Sequence, residues 1–165
     1  MQSGDKFCAG CATPLELRES AGRPRPVCPN CGRVVYYDPK IAATAIIQRQ
    51  GQVLLIRRAG EVGYGLWSMP GGYVDQGEPV EAAAAREAWE ETGLEVEVEQ
   101  LVGLLSEAGN PVIVAAYAVR EVGGQLQAGP EALEVGFFPL EELPPLAFPR
   151  DALILKRWRE MRYGR

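Results

Sequence analysis

The pattern of apolar and polar positions changes character near residue 40. Before it, apolar residues are scattered among Pro, Arg and Gly with no sustained period, and Arg18 to Pro26 reads as a loop. After it, Ile41–Gln48 and Val53–Arg57 are β-type runs flanking Arg49-Gln50-Gly51-Gln52, which predicts a hairpin. Val80–Thr92 predicts a helix, with Pro79 at its start, a run of four alanines inside and Gly93 just past its end. Leu94–Leu105 and Val112–Val119 predict strands, Gly123-Gly124 a turn and Phe137–Phe138 a short strand. Asp151–Arg162 predicts a terminal helix capped by Asp151. Strands mixed irregularly with helices imply an α/β protein with a mixed sheet covered by helices.

Composition narrows the chemistry. The chain of 165 residues is 47% hydrophobic and 24% charged, as expected of a globular protein. Its longest uncharged apolar run, Val112 to Val119, is far short of the roughly 20 residues of a membrane span. With no apolar stretch in Met1–Lys6, a cytoplasmic location is expected. There is no histidine, which removes Ser-His-Asp triads, Cys-His dyads and histidine zinc sites. Acid–base work near neutral pH is left to carboxylates, Lys, Tyr or metal-bound water. The net charge of −5 argues against binding a nucleic-acid backbone by bulk electrostatics.

All four cysteines fall in the first 31 residues, as Cys8-x-x-Cys11 and Cys28-x-x-Cys31 with sixteen residues between the pairs. Each Cys-x-x-Cys turn aims two thiolates at one point, and two turns complete a tetrahedral four-sulfur site suited to Zn²⁺. Four protein ligands leave no position for substrate, so such a zinc is structural. Disulfides need an oxidising compartment, and a redox pair needs only two cysteines at a helix start. The expected division is a zinc module over residues 1–38 and a larger domain over 39–165.

The candidate chemistry lies in the helix and its approach. At about 100° per residue, Glu87, Glu90 and Glu91 share an arc of roughly 100° that also holds Val80, Ala83 and Ala84, while Trp89 points away. Three acids continuing a small-residue face repel one another unless a cation joins them. Oxygen ligands alone favour Mg²⁺ or Mn²⁺. Met69-Pro70-Gly71-Gly72 brings bare backbone to this region, where a carbonyl can ligate a metal, and Glu78 and Arg86 are placed to brace loop against helix.

The segment from Gly72 to Leu94 resembles the Nudix hydrolase signature, G-x5-E-x7-R-E-U-x-E-E-x-G-U, with U a bulky aliphatic. Gly72, Glu78, Arg86, Glu87, Glu90, Glu91, Gly93 and Leu94 fall in place, and the one departure is Ala88 at the first U. The cysteine module followed by Tyr36-Tyr37-Asp38-Pro39-Lys40 is similar to the branch of that family carrying an N-terminal zinc ribbon, which includes NADH pyrophosphatases. The resemblance implies an α/β/α sandwich with a mixed sheet, preceded by a small zinc ribbon. It implies a metal-dependent pyrophosphohydrolase that splits a nucleoside diphosphate from another group by attack of water on phosphorus. Glu87 and Glu91 are then the principal Mg²⁺ or Mn²⁺ ligands, with Glu90 and the Gly71 carbonyl contributing, and Arg86 and Glu78 orienting them.

By the same resemblance a downstream acid serves as base, Glu134 first and Glu131 second. Arg58 is a candidate phosphate contact, with Arg57 on the other strand face, and Tyr64, Trp67 and Tyr73 are candidates to stack on a base. The SQPWPFP-type motif of NADH pyrophosphatases has no counterpart in Leu101–Asn110, whereas Pro111, 17 residues past Leu94, resembles the proline of ADP-ribose hydrolases. The expected order of substrates is ADP-ribose-like, then FAD or NADH, then other nucleotide sugars or dinucleotide polyphosphates. The resemblance also implies a homodimer. A nucleotide-sensing regulator or nucleic-acid adaptor is the alternative of another class, and the intact carboxylate set weighs against it.

Overall fold

A computed structural model describes residues 4–164. It divides into two units, the first ending at Asp38 and the second beginning at Pro39.

In the first unit the stretch expected to be a loop is instead a hairpin. β1 (Glu16–Ser20) pairs antiparallel with β2 (Arg23–Val27) across Ala21-Gly22. Pro24 and Pro26 are two residues apart and so face one edge of β2, where the missing N–H interrupts no bond to β1. Composition alone hid this strand. The unit buries little besides Cys8 and Cys28, and leaves Phe7, Leu17, Tyr36 and Tyr37 exposed.

In the second unit β3 (Lys40–Arg49) and β8 (Val112–Gly124) lie side by side in parallel, Lys40 against Val112 through Ile47 against Val119. β7 (Leu94–Leu105) flanks β8 antiparallel, and β4 (Gln52–Arg58) continues from β3 as the expected hairpin. β5 (Trp67–Ser68) and β9 (Ala132–Pro139) pair with β4, and β6 (Gly71–Tyr73) pairs with β3. The sheet is therefore mixed. Alternate residues of its central strands build two cores. Ala43, Ala45, Ile47, Leu54, Ala115, Tyr117 and Val119 pack with Ala83, Ala84 and Ala88 of α1 (Val80–Thr92). Ile46, Val53, Leu55, Val114, Ala116 and Ala118 pack with Ile154, Leu155 and Trp158 of α2 (Pro149–Tyr163). Strands buried on both faces need a helix on each, which makes an α/β/α sandwich. The small Ala88 at a position where the signature has a bulky aliphatic is fully buried, and lets α1 sit close on the alanines of the sheet. No helix of the described residues is long and apolar enough to cross a membrane.

Three local expectations are corrected. Gly123-Gly124 is not a free turn but the end of β8, paired with Glu95 and Leu94, because β7 is long enough to hold it in the ladder. The strand expected at Phe137–Phe138 runs from Ala132 to Pro139, so Glu134 lies in a strand opposite Arg57. α2 begins at Pro149 after Phe148, and Asp151 does not cap it. Proline at the first position fixes the start early and carries Asp151 into the first turn, where it is 4% exposed and its carboxylate lies near the Met69 backbone N–H.

Burial raises the Asp151 carboxyl to about 6, against opposing effects of Arg150, the Met69 N–H and Arg58. Between its unfolded value of 3.8 and about 6, the folded chain holds a proton that the unfolded chain has released. The stability this group allows is therefore full below about pH 4 and is lost as pH rises through 6. Asp151→Asn should consequently gain on the parent by on the order of 2–3 kcal/mol between pH 4 and pH 8. Urea unfolding followed by the fluorescence of buried Trp158 measures the difference, and a gap that does not change with pH counts against it.

Candidate active site

Two backbone segments position the acidic face of α1. Before it, the register of β6 on β3 places Ala43 opposite Gly72 and Thr44 opposite Gly71, with the Ala45 N–H donating to the Pro70 carbonyl. Alternation along an antiparallel pair then turns the N–H and carbonyl of Gly71 away from β3. That N–H donates to Glu91 Oε2 at 2.8 Å, and the carbonyl faces the same side. Gly72 is required for space, since a Cβ there would lie 2.5–2.7 Å from the Glu87 carboxylate.

After the helix, Gly93 takes the left-handed conformation (φ 71°) and donates to the Trp89 carbonyl. The chain returns from β8 along the same end of α1. Gln125 N–H donates to the Gly93 carbonyl, Gln127 N–H to Thr92 and Gly129 N–H to Glu91, at 2.9 to 3.1 Å. These bonds satisfy carbonyls that a helix end leaves without partners. They also strap residues 125–131 beside the acids. Glu87, Glu90, Glu91 and Glu131 all line one cavity of about 690 Å³.

Arg86 is the hub. Its Nε and Nη2 hold Glu78 Oε1 and Oε2 at 2.8 and 2.9 Å, the expected ion pair, here bidentate. Its Nη1 donates to Glu87 Oε1 at 2.8 Å and Glu90 Oε2 at 3.0 Å, and Nη2 also reaches the Tyr73 carbonyl. Hydrogen bonds from the Arg86 side chain first, and from the Asp75 N–H second, bring Glu78 down to about 2. Thus Arg86 ties the loop through Glu78 and Tyr73 while fixing two acids of the helix. The sequence showed the first contact and not the second.

Glu91 is 5% exposed, and burial raises it to about 8, with Glu87 and Glu131 adding repulsion against the Gly71 N–H and Arg58. Burial also raises Glu87, against Arg86 and with help from Glu90 and Glu131. Each of Glu87, Glu90 and Glu91 uses one oxygen in these bonds and keeps the other. Adjacent acids held in repulsion, with oxygens to spare beside a backbone carbonyl, fit a hard divalent cation.

The other predicted residues are placed as follows. Glu134 lies on β9 with Oε2 3.7 Å from Arg57 Nη1, and does not line the cavity of the acids, whereas Glu131 does. Arg58 Nε donates to the Val62 carbonyl at 2.8 Å, and its charge reaches both Glu91 and Asp151. Tyr73 is half exposed with Lys40 Nζ 4.9 Å above its ring, Tyr64 is exposed in the loop before β5, and Trp67 packs edge-on against Phe138.

In the first unit both knuckles close with the same backbone bond, Ala12 N–H to the Cys8 carbonyl and Gly32 N–H to the Cys28 carbonyl. Gly10 N–H points at Cys8 Sγ and Cys31 N–H at Cys28 Sγ, both at 3.4 Å. Hydrogen bonds from Thr13, its hydroxyl first and its backbone second, lower Cys11 to about 6. The four sulfurs lie within 4.8 Å of one another, three of the pairs at 3.5 to 3.7 Å. A tetrahedron with metal–sulfur bonds of about 2.3 Å has edges of about 3.8 Å, so the four thiols fit such a metal without rearrangement.

Known proteins share both halves. A NUDIX domain profile matches residues 38–158, and a Nudix N-terminal zinc-ribbon profile matches residues 6–37. The chain is 38% identical over 131 residues to an ADP-ribose pyrophosphatase of Methanocaldococcus jannaschii, covering 76% of this chain and 78% of that protein. It is 33% identical over 146 residues to the NAD-capped RNA hydrolase NudC of Chromobacterium violaceum, covering 87% of this chain but spanning only about half, 54%, of that relative. A crystal structure of a NUDIX hydrolase from Nitrosomonas europaea superposes with a TM-score of 0.89 at 31% identity, over 96% of this chain and 93% of that one. With the acids, Arg86 and the glycine turn assembled as the signature requires, the chain belongs to the Nudix hydrolases, pyrophosphohydrolases of nucleoside diphosphate derivatives, in the branch carrying an N-terminal zinc-ribbon segment.

Proposed function

We propose that the protein hydrolyses an ADP-ribose-like nucleoside diphosphate, with Mg²⁺ or Mn²⁺ at the acids of α1 and structural Zn²⁺ at the four cysteines. The observation that carries the reaction is the convergence of Glu87, Glu90 and Glu91 on one cleft, with the Gly71 N–H bonded to Glu91 beside them. The substrate rests on the similarity to an ADP-ribose pyrophosphatase over three quarters of both chains. Glu87 and Glu91, with Glu90 and the Gly71 carbonyl, would hold the cation, which when bound neutralises pyrophosphate charge and lowers the pKa of bound water.

The chain's own groups supply the rest. Arg86 fixes the orientation of Glu87 and Glu90, and Glu78 fixes Arg86. Arg58 is charged and close enough to be felt by Glu91, which suits it to a phosphate oxygen. Glu131, strapped over the cleft, is placed better than the Arg57-paired Glu134 to accept the proton of the attacking water at a carboxylate oxygen. The water oxygen bonds to phosphorus, the bridging P–O bond breaks, and ADP-ribose would yield AMP and ribose 5-phosphate.

Initial rates for ADP-ribose, NADH, FAD, UDP-glucose and diadenosine tetraphosphate, with Mg²⁺ or Mn²⁺, test this reading. We expect kcat/KM for ADP-ribose to exceed the others by about tenfold or more, on the scale of one well-read group of the substrate. The similarity to an NAD-capped RNA hydrolase makes NAD(H) the second reading, and a preference for NADH would select it.

A further inference from the structure

The cavity of about 690 Å³ that holds the acids has a second wall, formed by Trp89, Gln125, Gln127 and Pro130, none of which the hydrolytic chemistry uses. The helical period turns Trp89 away from the acids, yet residues 125–131 fold along the end of α1 and bring it into the same cavity. The other two tryptophans each meet a ring, Trp67 on Phe138 and Trp158 on Tyr163, whereas Trp89 is 57% exposed. A single exposed apolar side chain is ordinary on a protein surface. What sets Trp89 apart is that it shares a concave site of ligand size with Glu87, Glu90 and Glu91.

Three features define the occupant of this wall. The first is reach. Trp89 and Glu90 are about 100° apart around α1, so their side-chain ends lie on the order of 8–9 Å apart on a helix about 10–12 Å across. A bound cation, one phosphate and the ring next to it span such a length. The second is charge. The described residues lining the cavity include four carboxylates, Glu87, Glu90, Glu91 and Glu131, and neither Lys nor Arg. A cation at the acids offsets a diphosphate, but a further phosphate would meet carboxylates with no counter-charge, so the group beyond is uncharged. The third is the chemistry of the wall. An indole face beside two amide side chains, each both donor and acceptor, suits a ring that is apolar on its face and hydroxylated at its rim, which describes a sugar. The wall is also fixed in place. The N–H groups of Gln125, Gln127 and Gly129 bond to the end of α1, and a Cβ at Gly129 would collide with the Glu90 carbonyl.

We propose that the sugar on the far side of the diphosphate, the ribose released as its 5-phosphate, lies on the Trp89 indole with its hydroxyls bonded to Gln125 and Gln127. This rests on the ADP-ribose-like reading and deepens it. Trp89 becomes a residue that determines specificity, favouring a diphosphate ended by an uncharged sugar over one ended by phosphate.

Calorimetry on the full chain with Mg²⁺ and uncleavable analogues tests it without turnover. The probes are α,β-methylene-ADP-ribose and α,β-methylene-ADP, which lacks the distal ribose. The parent should bind the first about tenfold or more tightly than the second. Trp89→Ala should weaken the first by about tenfold, the scale of one stacking contact, and leave the second within about twofold. Trp89→Phe, which keeps a ring, should restore part of that affinity. Gln127→Ala should also weaken only the first, by about two- to tenfold as for one neutral hydrogen bond, and covers the case in which Trp89→Ala disturbs the helix. Equal binding of the two analogues by the parent, equal weakening of both by Trp89→Ala, or weakening of neither overturns the proposal. UDP-glucose separates it from the substrate reading. If the parent fails to cleave ADP-ribose yet cleaves UDP-glucose, with kcat/KM about tenfold lower in Trp89→Ala, the ADP-ribose reading falls and the sugar site stands. If ADP-ribose is the best substrate and Trp89→Ala leaves its kcat/KM unchanged, that reading stands and the sugar site falls.

Discussion

Glu91→Gln should lower kcat by about a thousandfold or more at saturating Mg²⁺, with little change in thermal stability, the scale on which removing a preorganised charge affects catalysis. Glutamine fills the same buried volume and keeps an oxygen for the Gly71 N–H, so β6 and α1 stay joined. What is lost is a negative oxygen at the most enclosed point of the cluster, where charge acts through low dielectric. Neither Arg86 nor Glu78 touches Glu91 through the bonds that brace the loop, so the effect is confined to the cleft. A variant retaining more than a tenth of parental kcat, with an unchanged melting curve, would remove Glu91 from the centre of the reaction.

Stripping metal from the four cysteines should unfold the first unit while leaving the second intact. Among the described residues that unit has a single hairpin of two five-residue strands, too little to stand alone in water, and its large hydrophobics lie outside. The four sulfurs are its core, and structural zinc contributes on the order of 10–16 kcal/mol to such a module. Cys28→Ser, or a chelator able to compete for zinc, should collapse the backbone amide dispersion of residues 6–37 and keep that of residues 39–164. A colorimetric zinc assay should count about one ion per parent chain. Dispersion that persists after complete removal of zinc would mean that the hairpin and knuckles fold without it.

Much of this was legible in the sequence because its signals are local and redundant. The Cys-x-x-Cys pairs fix their own spacing, and Pro79, the alanines and Gly93 bound α1 to the residue. The Glu78–Arg86 pair followed from a helix entered by a short loop. The misreadings arose where a distant element overrides a local cue. Asp151 has the composition of a cap, but Pro149 sets the helix start and buries the carboxylate within the first turn. Gly123-Gly124 has the composition of a turn, but Leu94 and Glu95 hold it in a ladder. The place of Glu131 beside the acids depends on bonds from Gln125, Gln127 and Gly129 to the end of α1, which no spacing reveals. Trp89 meets Gln125 and Gln127 through the same bonds, and no motif marks it.

The parallel pairing of β3 with β8 bears on how the chain reaches this state. β7 and β8 are joined by a short connection and lie antiparallel, so their contact closes a small loop. Lys40 meets Val112 only after the intervening hairpin, helix and strand are gathered in, and the entropy of closing that long loop precedes any reward from the contact. The pairing of β3 with β8 is thus expected among the late events of folding, whereas β6 meets β3 over a shorter loop. The bond from Gly71 to Glu91 spans only 20 residues but hangs on β6, so the hydrolytic cleft takes its shape only once β3 has paired with that short strand.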